Sequence, residues 1–376
     1  MILQRDILQS LLKSAGVGIG DSPMFPILSN FNIKKSGQIL TVRSTNNSVY
    51  TLCSHKLDDE EVQEDFDILV NSKKLLGFLS SRKEKSVEFV VGNNTLVIKS
   101  DSIEASFQLE AMDNKYPQFP SLKEIKHEGD YPLNSLVEGM SFVNEHLNEG
   151  SPSIKETLLE IRNNCVVGGS PSSMAVWKDS SLCLPLKLAC HESKKICAFL
   201  AFFKEDIVSL YESPHHLFFK VSGSNFISCE KLSDEVRVPK IDGYVDKMTP
   251  SLRAVFDKKE ILNSIKSLKH TIDSMSTEMR LRIGNKDCES GMQVIFGNSS
   301  RNLSTSNVEA VIDPESDEKQ VSIRLDYKIF TEALKYYKKD KVILAVYRLK
   351  SLLYLMEEDE ESGTSSEILI QLREIS

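Results

Sequence analysis

The sequence predicts an α+β chain of three similar domains, on three observations. An alternating strand followed by a stop recurs at residues 103–120, 225–239 and 368–375. The first runs through Ala105, Phe107 and Leu109 and stops on Tyr116, Pro117, Phe119 and Pro120; the second runs through Phe226, Ser228 and Glu230 and stops on Pro239. Six amphipathic segments start roughly 60 to 70 residues apart, a period too long for a solenoid of small repeats. Between them lie short alternating runs such as SVEFVV, TLVIKS, HLFFKVS and KVILAVYRL, broken by turn residues such as Gly92-Asn93-Asn94. One helix with about three or four strands makes a repeat, and two repeats make a domain. The expected domains are residues 1–122, 123–245 and 246–376.

Taken in order, the helices are expected at residues 7–15, 72–83, 133–147, 193–203, 257–272 and 326–339. Asn71 or Ser72, Asp257 and Asp326 are placed to cap three of them, because a short side-chain oxygen can accept from the free amides of a first turn. Lysines follow at once: Lys73 and Lys74, Lys194 and Lys195, Lys258 and Lys259, and Lys328. A cation there opposes the helix dipole at a cost of roughly 0.3–1 kcal/mol, so some other interaction must favour it.

The length of 376 residues gives two to three domains, and 40% hydrophobic content supports ordinary buried cores. The amphipathic start carries Arg5 and Asp6 and does not read as a signal peptide; no apolar run approaches a membrane span, so a cytoplasmic protein is expected. Seven cysteines, odd in number and without a Cys-x-x-Cys spacing, read as buried free thiols. Net charge is −8, yet acidic runs at 58–61 and 357–361 fall in loops while lysines gather on helices. The second helix adds Arg82 and Lys83, the fourth is followed by Lys204, the fifth adds Lys266 and Lys269, and the sixth adds Lys335, Lys338 and Lys339. The third carries Glu138 and Glu145 and no cation. Scattered lysines bind duplex phosphates weakly and without sequence preference; the alternative is that they solubilise exposed helix faces.

Signs of chemistry are sparse. The seven histidines form no His-x-x-x-His set, and Gly16, Gly18 and Gly20 follow a helix with no Gly-Lys-Ser/Thr after them. No catalytic residue, metal or cofactor is expected, and a metal-dependent hydrolase is the weaker alternative.

Several phrases, in this order, resemble the bacterial-type DNA polymerase III beta subunit, the sliding clamp. They are Phe25-Pro26-Ile27-Leu28-Ser29-Asn30, Ser106-Phe107-Gln108-Leu109 with Tyr116-Pro117, Val238-Pro239, Arg324-Leu325-Asp326-Tyr327 and Leu369-Ile370-Gln371-Leu372-Arg373. The resemblance implies three clamp domains, each of two helices and two antiparallel sheets, and a head-to-tail homodimeric ring around double-stranded DNA. The helices would line the hole, with Lys73, Lys74, Lys194, Lys195, Lys258, Lys259, Lys266, Lys328 and Lys335 facing phosphates. It implies a dimer interface at Phe107, Leu109 and Ile272. It also implies a pocket for short peptide motifs of a DNA polymerase and a clamp loader, at Gly169, Met174, Pro239, Met248, Ile368, Ile370, Gln371, Leu372 and Arg373. A clamp-fold scaffold for transcription or repair proteins is the alternative within the fold.

Three departures mark a divergent member, such as a phage or another mobile element with its own polymerase would encode. Gly169-Ser170-Pro171-Ser172-Ser173-Met174 stands where the family usually has Thr-Asp-Gly-His-Arg-Leu. Ile370-Gln371-Leu372-Arg373 replaces Met-Pro-Met-Arg, and Ser22 replaces a customary DNA-contacting Arg.

Overall fold

The computed structural model describes residues 1–57, 64–82, 84–100, 103–111, 116–151, 153, 157–162, 164–170, 173–233, 235–236, 238, 248–271, 277–284, 291–297, 303–359 and 364–375. Among the described residues the α-helices are α1 (Arg5–Gly16), α2 (Ser72–Ser80), α3 (Leu133–Asn144), α4 (Cys190–Leu200), α5 (Lys258–Leu268) and α6 (Tyr327–Lys335). All six amphipathic segments are therefore helical, several ending earlier than their periodicity allows. None is long and apolar enough to cross a membrane among the described residues.

The strands are, in chain order, β1 (Ile2–Gln4), β2 (Asn30–Ser36), β3 (Ile39–Thr45), β4 (Val49–Lys56), β5 (Phe66–Asn71), β6 (Ser86–Val91), β7 (Thr95–Lys99), β8 (Glu104–Glu110) and β9 (Lys126–Pro132). There follow β10 (Leu158–Arg162), β11 (Cys165–Ser170), β12 (Ser173–Lys178), β13 (Leu186–Ala189), β14 (Ile207–Glu212), β15 (His216–Lys220) and β16 (Phe226–Glu230). The last are β17 (Leu252–Asp257), β18 (Glu278–Ile283), β19 (Gly291–Phe296), β20 (Ser304–Ile312), β21 (Val321–Asp326), β22 (Lys341–Tyr347), β23 (Leu352–Asp359), β24 (Thr364–Gln371) and β25 (Glu374–Ile375).

Contacts divide the chain into two compact units, Met1–Val137 with His191–Ser233, and Glu138–Cys190 with Asp234–Ser376. The first unit holds one antiparallel sheet of 12 strands, ordered β1-β6-β7-β8-β5-β2-β3-β4-β16-β15-β14-β9. Helix α1 packs on it through Leu8, Leu11, Leu12 and Ala15, all buried. Full burial of such a leucine contributes about 1.5–3 kcal/mol. The turn after α1 needs Gly18, because a Cβ there would lie 2.4 Å from the Ser44 hydroxyl. The second unit holds a 13-stranded sheet, ordered β13-β10-β11-β12-β24-β23-β22-β17-β20-β19-β18-β21-β25.

The expected caps form. The Asn71 side chain accepts from the Lys74 amide at 3.1 Å, Asp257 from Glu260 at 3.0 Å, and Asp326 from Lys328 at 2.9 Å and Ile329 at 3.4 Å. Ser72, the alternative to Asn71, instead donates to the Ser29 carbonyl at 2.6 Å.

Three local expectations are corrected. Strand β16 does not alternate: Phe226, Ile227, Ser228 and Cys229 are all buried, because the strand lies between β15 and β4 within a wide sheet. The closing strand begins at Thr364 and buries five consecutive residues, Ser366–Ile370, between β12 and β23. Of the cysteines, Cys53, Cys165, Cys190, Cys197 and Cys229 are buried thiols, Cys183 is exposed in the loop between β12 and β13, and Cys288 lies outside the described residues.

Candidate functional site

Several of the expected DNA-facing lysines have identifiable partners. Lys195 of α4 donates to the carbonyls of Val17, at 2.7 Å, and Ile19, at 3.0 Å, just past the end of α1. Burial holds its ammonium below the ordinary lysine range. Lys258 of α5 repeats the device in the second unit, donating to the Tyr337 carbonyl just past α6. In both cases a lysine of one helix satisfies carbonyls past the end of another; Lys258 sits at its own helix start, whereas Lys195, expected at a start, is the sixth residue of α4 and clear of its dipole.

Lys73 pairs with Asp21 at 2.8 Å, Lys259 with Asp340 at 2.8 Å and Lys335 with Glu332. All three pairs are exposed, so each amine stays available to solvent. Lys194 is half-buried, whereas Lys74, Lys266 and Lys328 are exposed and have no ion-pair partner among the described residues. The acids of α3 are absorbed locally: Glu138 pairs with Lys338 at 3.0 Å, and Glu145 accepts from the Tyr336 hydroxyl at 3.3 Å.

Strand β8 keeps the alternation its sequence shows, with Ala105, Phe107 and Leu109 half-buried and the residues between them exposed. Phe107 meets Phe78 of α2 edge to face at 5.7 Å. Residues 104–108 pair with β7, whereas β5 pairs only with Leu109 and Glu110. The second unit has the same arrangement: in β20, residues 304–309 pair with β19 and only 310–312 with β17. Among the described residues, each strand thus leaves most of one backbone edge open. Ile272, expected near this edge, lies outside the described residues.

Five of the expected peptide-pocket residues, Gly169, Met174, Ile368, Ile370 and Gln371, fall on neighbouring strands of the second unit. Gly169 of β11 pairs with Met174 of β12, and Met174 with Leu369 of β24. Gly169 has φ +144°, and a Cβ there would lie 2.3 Å from the Ser173 carbonyl oxygen, so no larger residue fits this hairpin. Paired residues share a sheet face and alternate along the strand, which puts Gly169, Met174, Leu369 and Gln371 on one face. Ile368 and Ile370 belong to the opposite face and are fully buried; Leu372 is buried as well. Met248 is half-buried, and Pro239, with Pro171 and Ser172, lies outside the described residues.

Gln371 donates to the Ser351 carbonyl at 3.1 Å, and Arg373 reaches the Asp326 carboxylate at 3.2 Å. The Met174 face also carries Glu367, ion-paired with Lys178 at 2.7 Å, and Glu160, paired with Arg162 at 3.0 Å. Leu369 and these two ion pairs were missed from sequence. Counting alternate positions outward from Met174 would have found them once the β12–β24 pairing was known. No three His, Cys, Asp or Glu side chains gather as metal ligands among the described residues.

Comparison with known proteins identifies the fold that carries these residues. Residues 1–123 match the family model described as DNA polymerase III beta subunit, N-terminal domain. A comparison with curated protein sequences finds no match. Among solved structures, the DNA polymerase sliding clamp of Pseudomonas aeruginosa superposes with a TM-score of 0.80 at 14% identity, covering 100% of this chain and 99% of that one. The DNA polymerase III beta subunit of Thermotoga maritima gives 0.81 at 12% identity, covering 100% and 99%. The sliding clamp of Bacillus subtilis gives 0.79 at 12% identity, covering 99% and 98%.

Proposed function

We propose that this chain, whose residues 1–123 belong to the DNA polymerase III beta subunit family and which has the sliding-clamp fold along its whole length, is a polymerase processivity factor. Two copies would join head to tail and close a ring around duplex DNA, with three domains per copy, 1–122, 123–245 and 246–376. The observation that carries this reading is the pair of open strand edges. An unpaired edge invites another strand, and β8 of one copy against β20 of the next satisfies both at once. Repeated twice, the joint leaves no open edge of this kind. Phe107 and Leu109, only half-buried in one chain, would complete their burial there.

A closed ring keeps hold of DNA by topology, so its direct contacts can stay weak enough to slide. Lys74, Lys266 and Lys328 are the foremost candidates for those contacts, followed by Lys73, Lys259 and Lys335, whose exposed ion pairs exchange readily for phosphates. Lys194 is a further candidate, while Lys195 and Lys258 already hold helix ends. The Met174 face, with Gln371 and Arg373 beside it, would take a short extended peptide of a DNA polymerase or clamp loader. No catalytic step is assigned to the chain. Sedimentation at micromolar concentration tests the reading: a species of twice the 42.3 kDa chain mass is expected, and a stable monomer contradicts it.

A further inference from the structure

Glu160 and Arg162 stand two residues apart on β10, so both project from the sheet face that carries Met174. Their side chains are only 7% and 9% exposed. Burying two opposite charges usually stabilises a fold less than an apolar pair of the same volume would, so such a pair calls for a specific purpose. Here it grips one residue by the backbone. The carboxylate of Glu160 accepts from the Val238 amide at 3.0 Å, and the guanidinium of Arg162 donates to the Val238 carbonyl at 2.9 Å.

Val238 is thereby held as a neighbouring strand would hold it, but by side chains, and it is 1% exposed. The following residue, Pro239, favours an extended Val238 and has no amide to offer a ladder of its own. Across the sheet, Glu160 is in register with Val167 and Val167 with Val176, two places along β12 from Met174. Glu160 therefore lies about 12 Å from Met174, two strand spacings across and two residues along, on the same face.

We propose that Glu160 and Arg162 are positioning residues for the partner-peptide site, fixing Val238 as a wall beside the Met174 face. The idea rests on the peptide-binding reading above and adds to it the device that keeps the site in shape. Val238, itself buried, backs the site rather than touching a peptide, and a peptide spends none of its binding energy on ordering it. Without the ion pair, both polar groups of Val238 must find other partners and the wall moves.

The test uses the full chain and peptides selected from a randomised octapeptide library displayed against the wild-type protein. The double variant Glu160→Leu/Arg162→Met, which removes both the acceptor and the donor, should weaken the selected peptides tenfold or more and expose the Val238 amide to hydrogen exchange. Its sedimentation should match wild type, and Arg162→Lys should recover part of the affinity. As a control, Lys178→Met, which breaks the other ion pair on this face, should leave Val238 protected. Unchanged peptide affinity, in the double variant or in the singles if the double does not fold, overturns the proposal even where thermal stability falls. If wild type selects no peptide, the reading of the site fails and this inference with it; if it selects peptides indifferent to the variants, only the inference fails.

Discussion

The ammonium of Lys195 lies 2.7 Å from the carbonyl oxygen of Val17, the residue just past the end of α1. This hydrogen bond joins the middle of α4 to the end of α1 and gives one lysine of the expected DNA-facing set a structural partner. Lys195→Met should cost about 1 kcal/mol in chemical denaturation, the low end of the range for an unsatisfied buried group because these carbonyls are only partly buried, and leave DNA affinity unchanged. A loss of DNA affinity at full stability would give Lys195 the opposite role.

Exposed lysines without ion-pair partners should behave in the reverse way. Lys74→Glu, Lys266→Glu and Lys328→Glu together should leave the melting temperature within a degree or two, since surface changes rarely exceed about 0.5 kcal/mol. DNA binding should weaken at every sequence, and the slope of log affinity against log salt should become shallower by about 0.9 for each phosphate no longer neutralised. An unchanged slope would mean that these amines only solubilise the helices.

Phe107 offers a test of the strand edge. Phe107→Asp introduces a charge where β8 would meet β20 and should convert the dimer to a monomer in sedimentation at micromolar concentration. Removing the ring that packs on Phe78 should make this variant somewhat less stable as well. A dimer of undiminished affinity would place the interface elsewhere.

His146 is packed against Phe142 and Tyr336, and burial lowers its pKa from 6.5 to about 4. The unfolded chain therefore binds this proton more readily than the folded one between those values. Stability should fall as pH drops from 6.5 towards 4, by at most about 1.4 kcal/mol per pH unit from this group. His146→Phe should flatten that part of the urea-midpoint profile. An identical profile in the variant would assign the acid sensitivity to other groups.

The thiols should separate by exposure. Cys53 is pushed up to about 12 by burial, and Cys229 higher still, so neither should react with a thiol reagent before unfolding. Cys183→Ser should remove one fast-reacting thiol from the native protein; no change in the fast phase would contradict the exposed position of Cys183.

What the sequence revealed and what it hid divide along the range of the interactions. Asn71, Asp257 and Asp326 could be read as caps because a cap joins residues only three apart. The alternation of β8 was legible because one of its faces is open to solvent. Strands β16 and β24 were misjudged because each pairs with a strand far earlier in the chain, β4 and β12 respectively, and is buried on both faces. Lysines at helix starts looked like DNA contacts by position. That Lys195 and Lys258 close off other helices depends on which helix end lies opposite, and no local pattern records that.

The central claim is encirclement, and it is tested most directly by topology. The protein should be loaded by its clamp loader onto nicked circular DNA, separated from free protein, and the circle then cut once. A ring should remain on the intact circle through a high-salt wash and leave when ends are made. Release from the circle at high salt, or retention on the linear DNA, would contradict it.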